Sequence, residues 1–192
     1  MKNRYVMMLA VLVFTLFMTA CARPPVAEMN EATNAVVLAE NTPNAVNFAP
    51  HTLMRARDAL TMMHSEADAR RFDAARAFAA EAISLAERAI AEGNTGAEWA
   101  RQEAATLIGG LGLPIEETAV ALNSAEQAGV GNLDYNALAW DLFAARENFN
   151  GAQLSFAEND YGQAIAQGQN ARAIISGINA AINNAVQLAM LK

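Results

Sequence analysis

The chain is small and acidic: its 192 residues include 20 acidic and 13 basic side chains, for a formal net charge of -7. Lys2 and Lys192 are its two lysines. Nucleic acids and anionic lipid surfaces bind clustered cationic charge, so the composition argues against both partner classes. Cys21 is the only cysteine, which leaves no disulfide framework and no cysteine-based metal site.

The first 21 residues have the layout of a secretory signal peptide. Lys2 and Arg4 form a short positive region, an almost unbroken apolar run follows, and small residues precede Cys21. The apolar run, 5–17, is 13 residues long, whereas a helix that crosses a bilayer needs roughly 20. Residues 1–20 are therefore predicted to be a signal that is removed. An ordinary signal peptide with a nearby cysteine and an uncleaved anchor helix are the alternatives.

The residues around Cys21 resemble the cleavage site of bacterial lipoproteins, with Met18 where that family prefers leucine. In the family the chain is cut before the cysteine, the thiol receives a diacylglycerol, and the new amino end is usually acylated. The resemblance implies lipidation of Cys21 and stable attachment to a membrane through acyl chains. Ala22 stands where some family members carry the aspartate that retains them in the inner membrane. The resemblance therefore implies a place in the cell envelope, on the outer membrane facing the periplasm.

Residues 21–46 are predicted to form a lipid-anchored tether that holds a possible helix. The helical pattern covers 26–40, and Pro43 with several asparagines then breaks it over 41–49. Two arrangements fit this pattern. The helix over 26–40 belongs either to the tether or to the folded domain, as a packed first helix.

From Asn47 the apolar pattern becomes regular, and it occurs twice. Small and apolar residues recur at steps of three and four along two helices, with a turn at 68–71 between them. The same pattern returns 89 residues later, with its turn at 159–160. The first set is Leu53, Ala56, Leu60, Met63 and Ala67, then Phe72, Ala75, Ala79, Ala82, Ala86 and Ala89; the second is Leu142, Ala145, Phe149, Ala152 and Phe156, then Tyr161, Ala164, Gly168, Ala171, Ile175 and Ile178. The sequence predicts two similar helical hairpins, over 47–93 and 134–191.

The second helix of each hairpin resembles that of a tetratricopeptide repeat, in which alanines follow an aromatic residue at three and ten positions on. The residues that match are Phe72, Ala75 and Ala82 in one hairpin and Tyr161, Ala164 and Ala171 in the other. The stretch 26–90 is also similar to a group of small helical bacterial lipoproteins that is known only as a domain of unknown function. That likeness rests on Ala49, Pro50, Leu53, Ala56, Arg57, Leu60, Phe72, Ala75, Arg76, Ala79, Ala82, Ile83 and Ala86. It implies no activity.

Two connecting helices are predicted between the hairpins, over 95–129. Thr95 and Glu98 have the spacing of a capping box at a helix start, and paired glycines at 109–110 end that helix. Pro114 fits the start of the next helix, which Gly129 ends. The expected fold is an all-α bundle, in which two similar helical hairpins are joined by a short helix pair. It forms a single domain over 47–192.

The sequence predicts no catalytic, cofactor or metal site. His51 and His64 are 13 positions apart and lack the frame of a metal motif. Glu116 and Glu117 point about 100° apart on a helix, and their place in its first turn already explains them. The glycine-rich stretch 108–112 lacks the ending of a phosphate loop. The chain is therefore not expected to be an enzyme.

Trp140 and Phe143 fall outside the apolar pattern of the second hairpin, so they line a groove or contact a neighbouring helix. The predicted function is a non-catalytic binding or scaffold module of the envelope that receives a protein partner in a helical groove. One alternative is an assembly accessory that oligomerises through its C-terminal helix, which has no charge between Arg172 and Lys192. The other is a small-ligand-binding lipoprotein. The sequence does not indicate the oligomeric state.

Overall fold

The computed structural model describes residues 23–191, and the regular secondary structure in this range is helical, which confirms the all-α class. The helices are α1 (Val26–Glu40), α2 (Pro43–Phe48), α3 (Pro50–Asp68), α4 (Phe72–Gly109), α5 (Gly112–Gln127), α6 (Tyr135–Ala157) and α7 (Tyr161–Met190). Their contacts form two compact units, of which unit 1 ends at Gly96 and unit 2 begins at Ala97. The region 47–192, which the sequence assigns to a single domain, is thus divided between the two units.

Helix α1 is a packed part of unit 1. Its residues Ala32, Val36 and Ala39 are buried in one apolar cluster together with Leu53 and Met63 of α3. Three buried positions at steps of four and three are what one face of a packed helix requires. The structure therefore selects the packed first helix, and the tether predicted over 21–46 does not extend into α1.

Each hairpin reverses direction through the same turn. The N–H of Arg70 donates to the carbonyl of Ala67 at 2.9 Å, and Arg70 adopts a left-handed φ of 58°. At an offset of 89 residues, the N–H of Asn159 donates to the carbonyl of Phe156 at 3.1 Å, with a φ of 63°. In both turns the next N–H bonds the carbonyl five residues back, which completes a Schellman motif. The predicted turns are thus alike down to their hydrogen bonds.

The buried residues of the two hairpins also match at this offset. The pairs buried in both are Leu53 and Leu142, Ala56 and Ala145, Met63 and Ala152, Ala75 and Ala164, Ala79 and Gly168, Ala82 and Ala171, Ala86 and Ile175, Ala89 and Ile178, and Gly93 and Ile182. Most members of these pairs on α4 and α7 are alanine or glycine. Small side chains allow helix axes to approach towards the short end of the usual spacing of about 8–10 Å. The predicted similarity of the two hairpins is confirmed.

A third helix completes each unit. Both helices were predicted, over 26–40 and from Pro114 to Gly129, but the sequence did not show that they are equivalent. In α5, Thr118, Leu122 and Ala125 are buried at steps of four and three. The buried residues of α1 have the same steps, at an offset of 86 rather than 89 residues. The offset changes because unit 2 has three more residues between these buried positions and the hairpin: Ala39 and Leu53 are 14 positions apart, whereas Ala125 and Leu142 are 17 apart. Each unit therefore contains one helix followed by a hairpin; unit 1 also contains α2, and unit 2 also contains the last part of α4.

Helix α4 contradicts the predicted helix start at Thr95. It runs without a break to Gly109, and the Thr95 hydroxyl donates to the carbonyl of Ala91 at 3.0 Å instead of capping a new helix. The neighbouring Gly93 has a packing role. A Cβ at this position would lie 2.6 Å from backbone atoms of Asn44 and Ala45. Gly93, the last residue of the predicted first hairpin, thus admits the backbone of α2.

Gly93 and Gly177 give a matched pair of glycine substitutions. We expect Gly93→Ala to destabilise unit 1 by about 1–3 kcal/mol, because the obstructing atoms belong to rigid backbone. Gly177 lies inside α7 with no atom near its virtual Cβ, so Gly177→Ala should stabilise the chain by about 0.5–1 kcal/mol. Urea unfolding followed by circular dichroism measures both changes. Equal effects of the two substitutions would contradict this account of Gly93.

Candidate functional site

Trp140 and Phe143 lie on the solvent-facing side of α6. The opposite side of that helix carries buried residues, among them Leu142 and Ala145. Trp140 is 71% exposed and Phe143 is 55% exposed. Their ring centroids are 6.0 Å apart at an interplanar angle of 87°, an edge-to-face arrangement that aromatic rings favour. The two residues singled out from the sequence thus form one exposed aromatic pair.

Helix α5 packs antiparallel to α6. Near the start of α5, Glu116 Oε1 accepts from Arg146 Nη2 in the middle of α6, at 3.2 Å. Near the end of α5, the carbonyl of Ala125 accepts from the Tyr135 hydroxyl at the start of α6, at 3.0 Å. These two contacts fix the register of the helices.

The outward side of α5 is apolar as well. Leu113 and Val120 are exposed. Together with Ala121, Glu116 and Glu117, they line a shallow depression of about 400 Å³. Leu113 and Val120 lie one turn before and one turn after Glu116, which pairs with α6. We call Leu113, Val120, Trp140 and Phe143 the α5–α6 apolar surface.

Acidic side chains accompany this surface on both helices. Glu116 and Glu117 line the depression, and the exposed Asp141 follows Trp140 directly. The nearby cation, Arg146, is bound to Glu116. The local charge therefore has the same sign as the net charge of the chain, which is -7.

A second candidate site, which the sequence analysis missed, lies between α4 and α7 within unit 2. It is a cleft of about 410 Å³. Its polar and aromatic lining comprises Trp99, Gln102, Glu103, Thr106, Gln169 and Arg172. Two features of the sequence could have pointed to it. One is the large aromatic Trp99, and the other is Arg172, the last charged residue before Lys192. We call it the α4–α7 cleft.

A network of hydrogen bonds holds one edge of this cleft. Arg101 donates to both carboxylate oxygens of Glu98, at 2.8 and 2.9 Å, and the amide of Gln102 donates to the same carboxylate at 2.9 Å. The bonds from Arg101, followed by the bond from Gln102, lower the pKa of Glu98 from 4.5 to about 2. Glu98 therefore stays charged and fixes the orientation of the Gln102 amide.

The remaining residues from the sequence analysis do not form a site. Cys21, the predicted lipidation site, lies outside residues 23–191. His51 and His64 are exposed on α3. Between Arg23 and Leu191, no group of three or more histidine, cysteine, aspartate or glutamate side chains is positioned to hold a metal ion.

Two helical stretches are long and apolar enough to cross a membrane by length and composition alone. One lies within Phe72–Gln127 and the other is Tyr161–Met190. Core helices of soluble proteins pass the same test. The second stretch supplies Ile175, Ile178 and Ile182 to the core of unit 2.

No family model matches the chain, and neither curated proteins nor solved structures gave a match. The resemblances to bacterial lipoproteins and to tetratricopeptide repeats therefore remain expectations that rest on the residues quoted for them.

The Glu98–Arg101 pair predicts a pH-dependent stability of unit 2. Because the Glu98 pKa is lowered by folding, the pair stabilises the fold above pH 4.5, and this stabilisation is lost as the pH falls towards about 2. The test is a double-mutant cycle with Glu98→Gln and Arg101→Gln, using melting temperatures at about pH 7 and about pH 2. The coupling should be clearly smaller at the lower pH, where Glu98 is partly protonated in the folded chain, than at the higher pH. A coupling of the same size at both would refute the assignment.

Proposed function

We propose that this chain is a lipid-anchored protein of the cell envelope that binds a protein segment at the α5–α6 apolar surface and carries out no catalysis. The observation that carries the proposal is the exposed pair of Trp140 and Phe143. Covering apolar ring area is favourable in water, and large aromatic side chains concentrate at the centres of protein interfaces. A partner that covers both rings would therefore gain much of its binding free energy there.

The hairpin of unit 1 supports a role for these rings outside the fold. At an offset of 89 residues, the positions equivalent to Trp140 and Phe143 hold His51 and Met54. The buried residues of the two hairpins match, yet these exposed positions differ. The aromatic pair is therefore not required by the packing that the hairpins share.

The charges around the surface indicate the chemistry of the partner. Glu116, Glu117 and Asp141 surround the apolar side chains, and Arg146 is already paired. A segment with apolar residues flanked by lysine or arginine complements this arrangement. Charge complementarity mainly accelerates association and fixes orientation, and salt screens it. Binding should accordingly slow at high ionic strength.

The predicted anchor gives this binding a location. Helix α1 begins at Val26, five residues after Cys21. An extended chain spans at most about 3.6 Å per residue, so acyl chains on Cys21 would keep the start of α1 within about 18 Å of the attachment point. Restriction to a membrane surface raises the effective concentration of a partner on the same membrane. The outer membrane, facing the periplasm, is the location we propose.

The end of α7 favours a second candidate function, which is self-association in an assembly role. Leu188, Met190 and Leu191 are exposed, beyond the last buried residue of the helix. Deleting 173–192 cannot test this candidate, because Ile175 and Ile178 belong to the core of unit 2. The substitutions Leu188→Ser and Met190→Ser leave that core intact.

The aromatic surface is tested by crosslinking and capture of partners from membranes. The double variant Trp140→Ala with Phe143→Ala should bind its partner about tenfold or more weakly, because two central rings are lost. Its stability should change by less than about 0.5 kcal/mol, because both side chains are exposed. The matched control carries His51→Ala with Met54→Ala, the equivalent positions of unit 1, and should bind like wild type.

Two results would reject the main proposal. In one, both double variants capture the same partners as wild type. In the other, capture survives the aromatic substitutions but is lost with Leu188→Ser and Met190→Ser, together with an oligomer seen by analytical ultracentrifugation. That second result would establish the self-association candidate.

Cys21 is tested separately. Cys21→Ala should remove the acyl chains and move the protein from the membrane fraction to the soluble fraction, because two or three chains are what hold it firmly. Mass spectrometry of the wild-type protein should find acyl groups on Cys21. If the variant stays in the membrane fraction after an alkaline wash, the anchor lies elsewhere.

A further inference from the structure

The α4–α7 cleft is independent of the α5–α6 apolar surface. One wall is the last part of α4, with Trp99, Gln102 and Glu103, and the other wall is α7, with Gln169 and Arg172. Its volume of about 410 Å³ falls in the range of about 300–1,000 Å³ that small-molecule sites occupy. The indole of Trp99 is 70% exposed, so it is open to a ligand.

The helices meet closely at the base of the cleft. A Cβ added at Gly168 would lie 2.6 Å from Leu107 Cδ2, and Leu107 lines the cleft. Gly168 therefore lets the Leu107 side chain fill the space between the helices. The equivalent residue of unit 1 is Ala79, and Ala80 and Ile83 stand where the cleft has Gln169 and Arg172. The α7 wall of the cleft is therefore polar at two positions that are apolar in the hairpin of unit 1.

Several polar groups of the lining have unused hydrogen-bond donors or acceptors. Among residues 23–191, Glu103 and Arg172 form no ion pair. Gln102 uses its amide N–H towards Glu98, so its side-chain carbonyl remains an acceptor. The Thr106 hydroxyl donates to the backbone carbonyl of Gln102 at 2.8 Å, and its oxygen can still accept. The cleft thus offers free donors and free acceptors next to one flat aromatic face.

This combination narrows the class of ligand. A nucleotide or other polyphosphate would need several cations, and Arg172 is the only one in the lining. A hard metal ion would need several oxygen ligands of negative charge, and Glu103 is the only carboxylate. A purely apolar ligand would leave both charges unpaired beside it. A neutral molecule with many hydroxyl groups and one apolar face satisfies all of these groups.

We propose that the α4–α7 cleft binds a pyranose ring of a neutral saccharide. The C–H face of the ring packs on the indole of Trp99, as apolar ligand surface does on exposed aromatic faces. Arg172 and the Gln169 amide donate to ring hydroxyls, and Glu103 with the carbonyl of Gln102 accept from them.

The experiment uses the two tryptophans of the chain, Trp99 and Trp140. Trp140→Phe leaves Trp99 as the only indole, and its fluorescence is followed during titration of the full-length protein with chitotriose, maltotriose and cellotriose. At least one trisaccharide should give a saturable change, with a dissociation constant in the micromolar to low-millimolar range. The reciprocal variant, Trp99→Phe, should show no change from Trp140.

Substitutions in the lining locate the binding. In the Trp140→Phe background, Glu103→Gln and Arg172→Ala should each weaken binding about tenfold, because the first replaces a charged acceptor by a neutral one and the second removes a charged donor. Asn170→Ala is the matched control, since Asn170 is exposed on α7 beside Gln169 but does not line the cleft. It should bind like the parent, and thermal unfolding should show all these variants folded.

Three outcomes would overturn the proposal. The first is the lack of a saturable change with all three trisaccharides. The second is a change that Glu103→Gln and Arg172→Ala leave untouched, which would place the sugar elsewhere. The third is a saturable response to the zwitterion diglycine in place of the sugars, which would assign the free charges of the cleft to a peptide.

Discussion

The close approach of helices along rows of alanine and glycine is the constraint on which both units depend. On α4 the row includes Ala75, Ala79 and Ala82, and on α7 it includes Gly168 and Ala171, all buried. Each small side chain contributes little apolar area, so stability comes from many close contacts rather than a few large side chains. A larger residue anywhere on these rows would force the helices apart. The rows therefore fix the spacing and register of the helices and leave variation to the exposed faces.

A comparison of the two hairpins shows that their exposed faces vary. Their turns use the same hydrogen bonds, with Arg70 and Asn159 in the same left-handed conformation. Their outer faces differ, since the aromatic pair of unit 2 corresponds to a histidine and a methionine in unit 1. Gln169 and Arg172 of the cleft likewise correspond to Ala80 and Ile83 in unit 1. The two hairpins thus share a scaffold and differ in the surfaces that they expose.

The hairpins could be predicted because their rows of small and apolar residues, at steps of three and four, and the turns between them are local patterns. The continuous course of α4 through Gly93 could not be predicted. A glycine followed by a Thr-x-x-Glu spacing is also typical of one helix that ends and another that begins. The backbone of Asn44 and Ala45, distant in sequence, decides between these meanings. The aromatic pair could be recognised because it falls outside the apolar pattern of the second hairpin. The α4–α7 cleft could not be predicted, because only tertiary packing brings Trp99 and Arg172 together.

The base and the rim of the α4–α7 cleft differ in mobility. Leu107 is held against Gly168 with no space for another atom, whereas Gln169, Glu103 and Arg172 are exposed. Immobilising long side chains of this kind costs up to about 1.5–2 kcal/mol each in lost rotamer freedom. A single small ligand must overcome this cost with few contacts, so it would bind weakly and exchange fast. A repetitive ligand met by many copies on one membrane would be retained by multivalency, without tight binding at any one cleft.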